Sequence, residues 1–169
     1  MRSYGLRFDA VESGREQRQL GDFLQSHRGP YPEDAYGQWV EETCMPAIAR
    51  GERGALAWWE YSAMVGDIVL KPELDAVEIK NFRIAVPALF RHRGLGTVML
   101  RFGLLGAQNL LEEQGLISPD ANHFTVYLDA PADSEAAAFF ARQGFAEDGR
   151  AQLYDDQVQV LMSRTVALD

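Results

Sequence analysis

The chain has 169 residues, of which 47% are hydrophobic and 24% are charged. These proportions are those of an ordinary globular protein and exclude a disordered chain, so we expect one compact domain over residues 1–169. The net charge of −9 argues against a nucleic-acid partner, because nucleic-acid-binding proteins concentrate Lys and Arg on their surface.

The sequence also excludes disulfides, and it offers no motif for a metal. Cys44 is the single cysteine, and we expect it to be a small core residue on a helix rather than a nucleophile. His27, His92 and His123 are too scattered to form a metal-ligand motif, so any cofactor must be organic. The sequence has neither an apolar leader nor a stretch long enough to span a membrane. We therefore expect a cytoplasmic protein without a membrane partner.

The first fifty residues predict one strand followed by two helices. Alternating apolar and polar residues predict a strand over residues 4–10. Apolar residues at helical spacing predict a helix over residues 14–27. A looser amphipathic pattern over residues 33–50, interrupted by Pro46, predicts a second, bent helix.

Three strands in a row are predicted next. Residues 55–61 and 64–70 are rich in aromatic and β-branched residues and are too short for packed helices, so they predict an antiparallel hairpin. A third strand is predicted over residues 76–86. It ends at Pro87, which cannot donate a hydrogen bond to a neighbouring strand.

A long apolar helix follows from Gly94 to Gly115. Its apolar residues recur at helical spacing and form one stripe: Leu95, Val98, Met99, Phe102, Leu105 and Leu110. Residues 124–129 then alternate between apolar and polar, which predicts a strand that leads to Pro131.

The last part of the chain predicts a short helix and a final strand pair. Asp133 is the predicted N-cap of a helix over residues 136–142 that stops at Gly144. Strands are predicted over residues 146–154 and 157–166. The element order is therefore β, α, α, β, β, β, α, β, α, β, β.

Residues 91–96 read Arg-His-Arg-Gly-Leu-Gly and lie between a predicted strand and the start of the long helix. Backbone N–H groups converge at such a position, and glycines allow phosphate oxygens to approach closely. Arg91 and Arg93 add positive charge. The loop is not a Walker loop, because Thr97 and Val98 follow the second glycine, Gly96. The pattern therefore predicts an anion site.

This loop resembles the Gln/Arg-x-x-Gly-x-Gly/Ala motif of the GNAT superfamily of acyl-CoA-dependent N-acyltransferases. Arg91, Gly94 and Gly96 match the motif. Three further segments are similar to the family's third strand, its fourth strand and its helix-to-strand segment that ends in Gly-Phe: residues 65–70, 78–82 and 136–145.

The resemblance implies an α/β (α+β) fold with a mixed, mostly antiparallel, splayed sheet of six to seven strands flanked by about four helices. It also implies acetyl-CoA as cosubstrate, with its pantetheine hydrogen-bonded to the backbone of the fourth strand. The residues implied to contact the cofactor lie on that strand, on the loop and on the last predicted helix: Ile84, Ala85, Val86, Arg91, His92, Arg93, Gly94, Leu95, Gly96, Thr97 and Phe140.

The implied activity is transfer of an acetyl group to a primary amine by direct attack. Glu78 stands where some relatives carry a general base, and Asp129 is a second candidate for this role. The alternatives are a solvated strand glutamate for Glu78 and a turn or helix-capping residue for Asp129. Phe140 stands where many relatives use a tyrosine as proton donor. Tyr154, Tyr127 or water would then replace that tyrosine, or the thiolate would leave unassisted.

The nature of the acceptor stays open at this stage. Four acidic residues in the second helical region favour a cationic small-molecule amine, although an ordinary solvated acidic face explains them as well: Glu33, Asp34, Glu41 and Glu42. A protein lysine or N-terminal amine is an alternative acceptor. A non-catalytic module that senses acyl-CoA is an alternative function. The sequence leaves a homodimer open.

Overall fold

The computed structural model describes residues 6–29, 31–85, 94–153 and 157–169. The elements follow the predicted order: β1 (Leu6–Ala10), α1 (Gly14–Ser26), α2 (Glu33–Trp39), a π-helical turn (Val40–Cys44), α3 (Met45–Ala49), β2 (Gly54–Glu60), β3 (Ala63–Glu73), β4 (Ala76–Ile84), α4 (Leu95–Glu113), β5 (His123–Pro131), α5 (Glu135–Arg142), β6 (Ala146–Leu153) and β7 (Gln157–Ala167).

The strands form one seven-stranded mixed sheet in the order β1-β2-β3-β4-β5-β7-β6. The pairs β1–β2, β2–β3, β5–β7 and β6–β7 are antiparallel, whereas β4 and β5 are parallel. The parallel ladder joins Ala76 to Thr125, Val77 to Val126 and Glu78 to Tyr127. The predicted fold class, with a mixed, mostly antiparallel sheet of six to seven strands, is confirmed.

The second helical region, predicted as one bent helix, contains a π-helical turn between α2 and α3. Pro46 lacks a backbone N–H and lies in the first turn of α3. Just before it, the Met45 N–H donates to the carbonyl of Val40, five residues back instead of four. The π-helical turn accommodates the residue that cannot donate, so the helical region continues from α2 to α3 without a break.

The N-cap predicted for the last helix was wrong by one residue. Ser134, not Asp133, caps α5, because its hydroxyl accepts a hydrogen bond of 3.1 Å from the Ala137 N–H. Asp133 instead adopts a left-handed backbone conformation with φ of 57° just before the cap. Asp tolerates this conformation better than most residues, which explains the acidic residue at this position.

The packed face of α4 also differs from the prediction. Val98, Phe102 and Leu105 belong to the predicted apolar stripe, yet all three are exposed. The side of the helix that carries Gly103 faces the sheet, where a Cβ added to Gly103 would lie 2.6 Å from Ile68. Because glycine has no side chain, the helix backbone approaches the strand more closely than a stripe of large residues would allow. Met99, Leu100, Ala107 and Leu111 are buried.

The chain divides into two compact units: Met1–Lys71 with Lys80–Gly106, and Pro72–Ile79 with Ala107–Asp169. In the first unit, α1 and the second helical region contribute Leu20, Leu24 and Val40 to a core that also contains Ala57 and Trp59 of β2. No helix in the described ranges is long and apolar enough to cross a membrane.

In the second unit, the alternation predicted for β5 is confirmed. Phe124, Val126 and Leu128 are buried, whereas Tyr127 and Asp129 are only half-buried. The predicted end of β4 lies partly outside the described residues, because β4 ends at Ile84 whereas Val86 and Pro87 are not described.

Candidate active site

The start of α4 has the backbone geometry that the anion prediction requires. Gly94 adopts φ of 75°, a left-handed conformation that favours glycine, and a Cβ added there would meet no described atom within 4 Å. The Val98 N–H donates to the Gly94 carbonyl at 3.1 Å as the helix begins. The N–H groups of the first helical turn point out of the helix end, where the positive end of the helix dipole favours an anion.

The described part of the predicted loop lies at this helix end. Gly94 is exposed, while Leu95, Gly96 and Thr97 are half-buried in the first turn of α4. Four other residues predicted to contact the cofactor fall outside the described residues: Val86, Arg91, His92 and Arg93. Their roles stay predictions.

The end of β4 changes one prediction. The Ala85 N–H donates to the Val65 carbonyl of β3 at 2.8 Å, so it is already used within the sheet and is not a donor to a bound ligand. Backbone groups alternate in direction along an extended chain, so the N–H of Ile84 points to the opposite side of the strand. The role of Ile84 stays a prediction, whereas the Ala85 N–H is bonded within the sheet.

The candidate base lies in the second unit, beside a tyrosine. Glu78 pairs with Tyr127 across the parallel ladder, which places the two side chains on one face of the sheet. The Tyr127 hydroxyl donates to Glu73 Oε1 at 2.9 Å. Burial, this hydrogen bond and the negative charge of Glu78 together raise the pKa of Tyr127. Tyr127 therefore keeps its proton and directs it at Glu73, which makes it a poor donor to a leaving thiolate.

Asp129 lies two residues beyond Tyr127 on β5, so its side chain projects from the same face as those of Tyr127 and Glu78. It is half-buried and pairs in register with Leu161 of β7. The N-cap of α5 is Ser134 and not Asp129, and the alternative of a turn residue for Asp129 stays open. The structure thus brings Glu78 and Asp129 to one face of the sheet, where Tyr127 lies directly opposite Glu78 and two residues before Asp129.

Phe140 lies in an aromatic cluster on α5. Its ring is 4% exposed and meets the rings of Phe139 and Phe145 edge-on, at centroid distances of 5.1 and 5.3 Å. A phenyl ring in this position packs in the core and donates no proton. Its contact with a cofactor stays a prediction, as does the role of Tyr154, which falls outside the described residues.

Comparisons with known proteins bear on the fold. The sequence matches no protein-family model, and no curated protein matches it. The structure is similar to an acetyltransferase of the GNAT family from Streptococcus pneumoniae, with a TM-score of 0.65 and 13% identity over 96% of this chain and 99% of that chain. It is also similar to an aminoglycoside 6'-N-acetyltransferase complexed with coenzyme A, with a TM-score of 0.68 and 16% identity over 94% and 96% of the two chains.

A third similar structure is the ribosomal-protein-S18-alanine N-acetyltransferase from Escherichia coli. Its TM-score is 0.64 at 16% identity, over 97% of this chain and 96% of that chain. The chain has the GNAT fold. The resemblance that the Arg91 loop and its neighbouring segments indicated is therefore confirmed at the level of fold.

Within this GNAT fold, the sequence analysis missed a buried polar network in the first unit. Asp67 of β3 is 0% exposed, and burial raises the pKa of its carboxyl to about 7. Asn81 of β4 donates from Nδ2 to both carboxylate oxygens of Asp67, at 3.0 and 2.9 Å. The Tyr36 hydroxyl on α2 donates to Asn81 Oδ1 at 3.2 Å. The signal available in the sequence was a lone acidic residue inside the apolar run 65–70.

Cys44 lies in the core, as the sequence predicted. The side chain is fully buried in the π-helical turn, and burial raises the pKa of its thiol to about 11. A thiol that remains protonated at neutral pH is a poor nucleophile.

Proposed function

We propose that this protein is an N-acetyltransferase that moves an acetyl group from acetyl-CoA to a primary amine. The observation that carries the proposal is the start of α4, where Gly94 opens a helix end suited to an anion in a GNAT fold. The residues described there fit a pyrophosphate, since no described atom lies within 4 Å of a Cβ added at Gly94 and the N-terminal dipole of α4 favours an anion. The similar structures include two named as acetyltransferases, and one of these is complexed with coenzyme A. They support acetyl-CoA as the cosubstrate.

The chemistry requires a neutral amine, because an ammonium has no lone pair. For an amine with a pKa of about 10.4, deprotonation at pH 7 requires about 4.6 kcal/mol. The amine nitrogen then bonds to the acetyl carbon, the carbon–sulfur bond breaks, and the proton lost by nitrogen goes to a base. A thiol with a pKa near 8.5 leaves as its thiolate without a strong acid.

Glu78 is the proposed base. It is a half-buried carboxylate on the same face as Tyr127 and Asp129, and its negative charge acts on the hydroxyl of Tyr127. Asp129 is the second candidate because it projects from the same face. Because Tyr127 directs its proton to Glu73, Tyr154 or water stays as the proposed donor to the thiolate.

A cationic small-molecule amine is the proposed acceptor. The four acidic residues of the second helical region are all exposed, and the protein carries a net charge of −9, so it attracts cations. The names of similar structures include both an aminoglycoside and a ribosomal-protein acetyltransferase, so a protein lysine or N-terminal amine is the second candidate. We also propose a cytoplasmic location, and a homodimer is an assembly to test.

The experiment is release of thiol from acetyl-CoA over a panel of primary amines, polyamines, aminoglycosides and lysine peptides. We expect release that depends on one class of amine. Titration calorimetry measures the binding of acetyl-CoA to the same protein in parallel. Tight binding without any amine-dependent release would contradict the proposal and favour an acyl-CoA sensor.

Substitution of Gly94 gives a test of the cofactor site. Gly94→Ala places a Cβ on a residue with φ of 75°, so we expect the Kd for coenzyme A to rise about tenfold through backbone strain at the anion site. Gly115→Ala is the matched control, since Gly115 follows the other end of α4 with φ of 66°, and a Cβ added there likewise meets no described atom within 4 Å. Calorimetry should show weaker binding only for Gly94→Ala. Equal loss in both variants would mean that helix stability, not the anion site, is affected.

A further inference from the structure

The strand β1 lies at the edge of the sheet, and in the described part of the chain it pairs with β2 alone. Just after β1, the Val11 N–H donates to the Ala55 carbonyl at 2.9 Å. Because hydrogen bonding alternates along an antiparallel strand, the odd-numbered residues of β1 bond to β2. The even-numbered residues, from Leu6 to Ala10, direct their backbone groups away from β2. The strand therefore presents backbone donors and acceptors to a further strand.

The side chains of this edge are complementary to those of a second copy. Antiparallel pairing of two copies about Phe8 places Phe8 opposite the partner's Phe8, and Arg7 opposite the partner's Asp9. Phe8 then forms a hydrogen-bonded pair with its counterpart, whereas Arg7 and Asp9 fall in the intervening pairs, where side chains lie closest. Two arginines and two aspartates thus meet with alternating sign.

The contacts within one chain are compatible with this pairing. The side chains of Arg7 and Asp9 are 51% and 59% exposed and lie 3.6 Å apart. The Arg7 guanidinium is 4.2 Å from the centre of the Trp59 ring and 3.4 Å from Glu16, so it is already held at the surface beside its own Asp9. Asp9 Oδ1 accepts from the Ala10 N–H at 2.9 Å. Pairing exchanges this local bond for one to a carbonyl of the second copy and leaves the carboxylate facing the partner's Arg7.

An apolar stripe on α4 lies beside the same edge. Val98, Phe102 and Leu105 follow each other at helical spacing and are 44%, 47% and 53% exposed. The ring centres of Phe102 and Phe8 are 4.9 Å apart, so the stripe adjoins β1. The two-fold axis of an antiparallel strand pair is perpendicular to the sheet, so the two α4 helices lie on the same face of the joined sheets. Contiguous exposed apolar residues of this kind mark an interaction site.

We propose that the edge of β1 and the apolar stripe of α4 bind a second copy of this chain, with the two-fold axis at Phe8. The backbone bonds join the two sheets, and the stripes supply apolar area. The charges set the register. A shift of two residues in either direction would place Arg7 opposite Arg7 or Asp9 opposite Asp9, and like charges in these positions are destabilising. The inference concerns assembly and does not depend on the proposed function.

Sedimentation equilibrium of the full chain tests the surface. We expect wild type to form a dimer, and Asp9→Arg and Leu105→Glu each to raise the dimer Kd about 100-fold or more, through like charges and a buried charge respectively. Leu74→Glu is the matched control, since Leu74 is also an exposed leucine, at 66%, but lies between β3 and β4. It should remain a dimer. A monomeric wild type, or a dimer that persists in both Asp9→Arg and Leu105→Glu, would overturn the proposal.

Cysteine cross-linking tests the register. A mixture of Arg7→Cys and Asp9→Cys brings two thiols into directly opposed positions across the axis, so mild oxidation should link the mixture faster than either variant alone. Cys44 is buried, and burial raises the pKa of its thiol, so it should not compete. Linking no faster in the mixture than in the separate variants would contradict an axis at Phe8.

Discussion

Between about pH 4 and pH 7, the free energy of unfolding of the wild-type protein should fall by about 4 kcal/mol relative to that of Asp67→Asn. Burial raises the pKa of Asp67 from 3.8 to about 7, which corresponds to an energy of this size. In this range the folded protein binds the proton that the unfolded chain has released. The contribution of the Asp67 carboxyl to the free energy of unfolding is therefore fully present at low pH, and it is lost as the pH rises toward 7.

Urea titrations of both proteins over this pH range measure the effect. An asparagine does not titrate, so any hydrogen bond lost in Asp67→Asn lowers the stability equally at every pH. The difference between the two proteins in the slope of unfolding free energy against pH therefore reports the carboxyl group alone. Asp75→Asn is the opposite control, because hydrogen bonds from Ser118 lower the pKa of Asp75 and its contribution is lost as the pH falls. Asn also tolerates the φ of 55° at Asp75. Parallel pH profiles for wild type and Asp67→Asn would show that the buried carboxyl does not titrate in this range.

Glu78→Gln should lower the turnover number with a primary amine by about 100-fold at pH 7. A general base typically contributes a factor of this order or more, and a glutamine cannot accept the proton of the amine. The loss should shrink as the pH approaches the pKa of the amine, because more of the substrate is then neutral without help. The KM for acetyl-CoA should not change.

Steady-state rates from pH 6 to about pH 10 provide this test. Glu147→Gln, an exposed glutamate on β6 that pairs with Arg150 at 2.8 Å, is the control and should behave as wild type. If Glu78→Gln keeps the full turnover number and Asp129→Asn loses most of it, Asp129 is the general base instead of Glu78. Full rates in both variants would mean that the substrate amine loses its proton to water.

Local periodicity explains what the sequence predicted well. The alternation in β5 and the apolar spacing of α4 predict each element because burial imposes periods of 2 and 3.6 residues. The face of α4 that packs on the sheet was not predictable in this way. Gly103 and Gly106 carry no hydrophobic signal, yet they allow the helix to approach Ile68 and Leu56. Hydrophobic spacing favoured the larger residues, of which Val98, Phe102 and Leu105 are exposed.

The polar groups of the candidate site depended on contacts between distant residues. Glu78 was found because a resemblance marked its position. Its neighbour Glu73 was missed, because the bond from Tyr127 to Glu73 joins residues 54 positions apart. Likewise, Asn81 and Asp67 meet only after β3 and β4 have paired, since 14 residues separate them in the chain. The helix-end glycine Gly94 was predictable because its conformation follows from local sequence.

Transfer of an isotope-labelled acetyl group from acetyl-CoA to an amine, followed by mass spectrometry of the products, tests the central claim most directly. We predict a labelled amide of a primary amine, formed in proportion to the thiol released and much reduced in Glu78→Gln. Label that stays on coenzyme A with every small amine, lysine peptide and protein N-terminus, while acetyl-CoA binds tightly, would contradict the account.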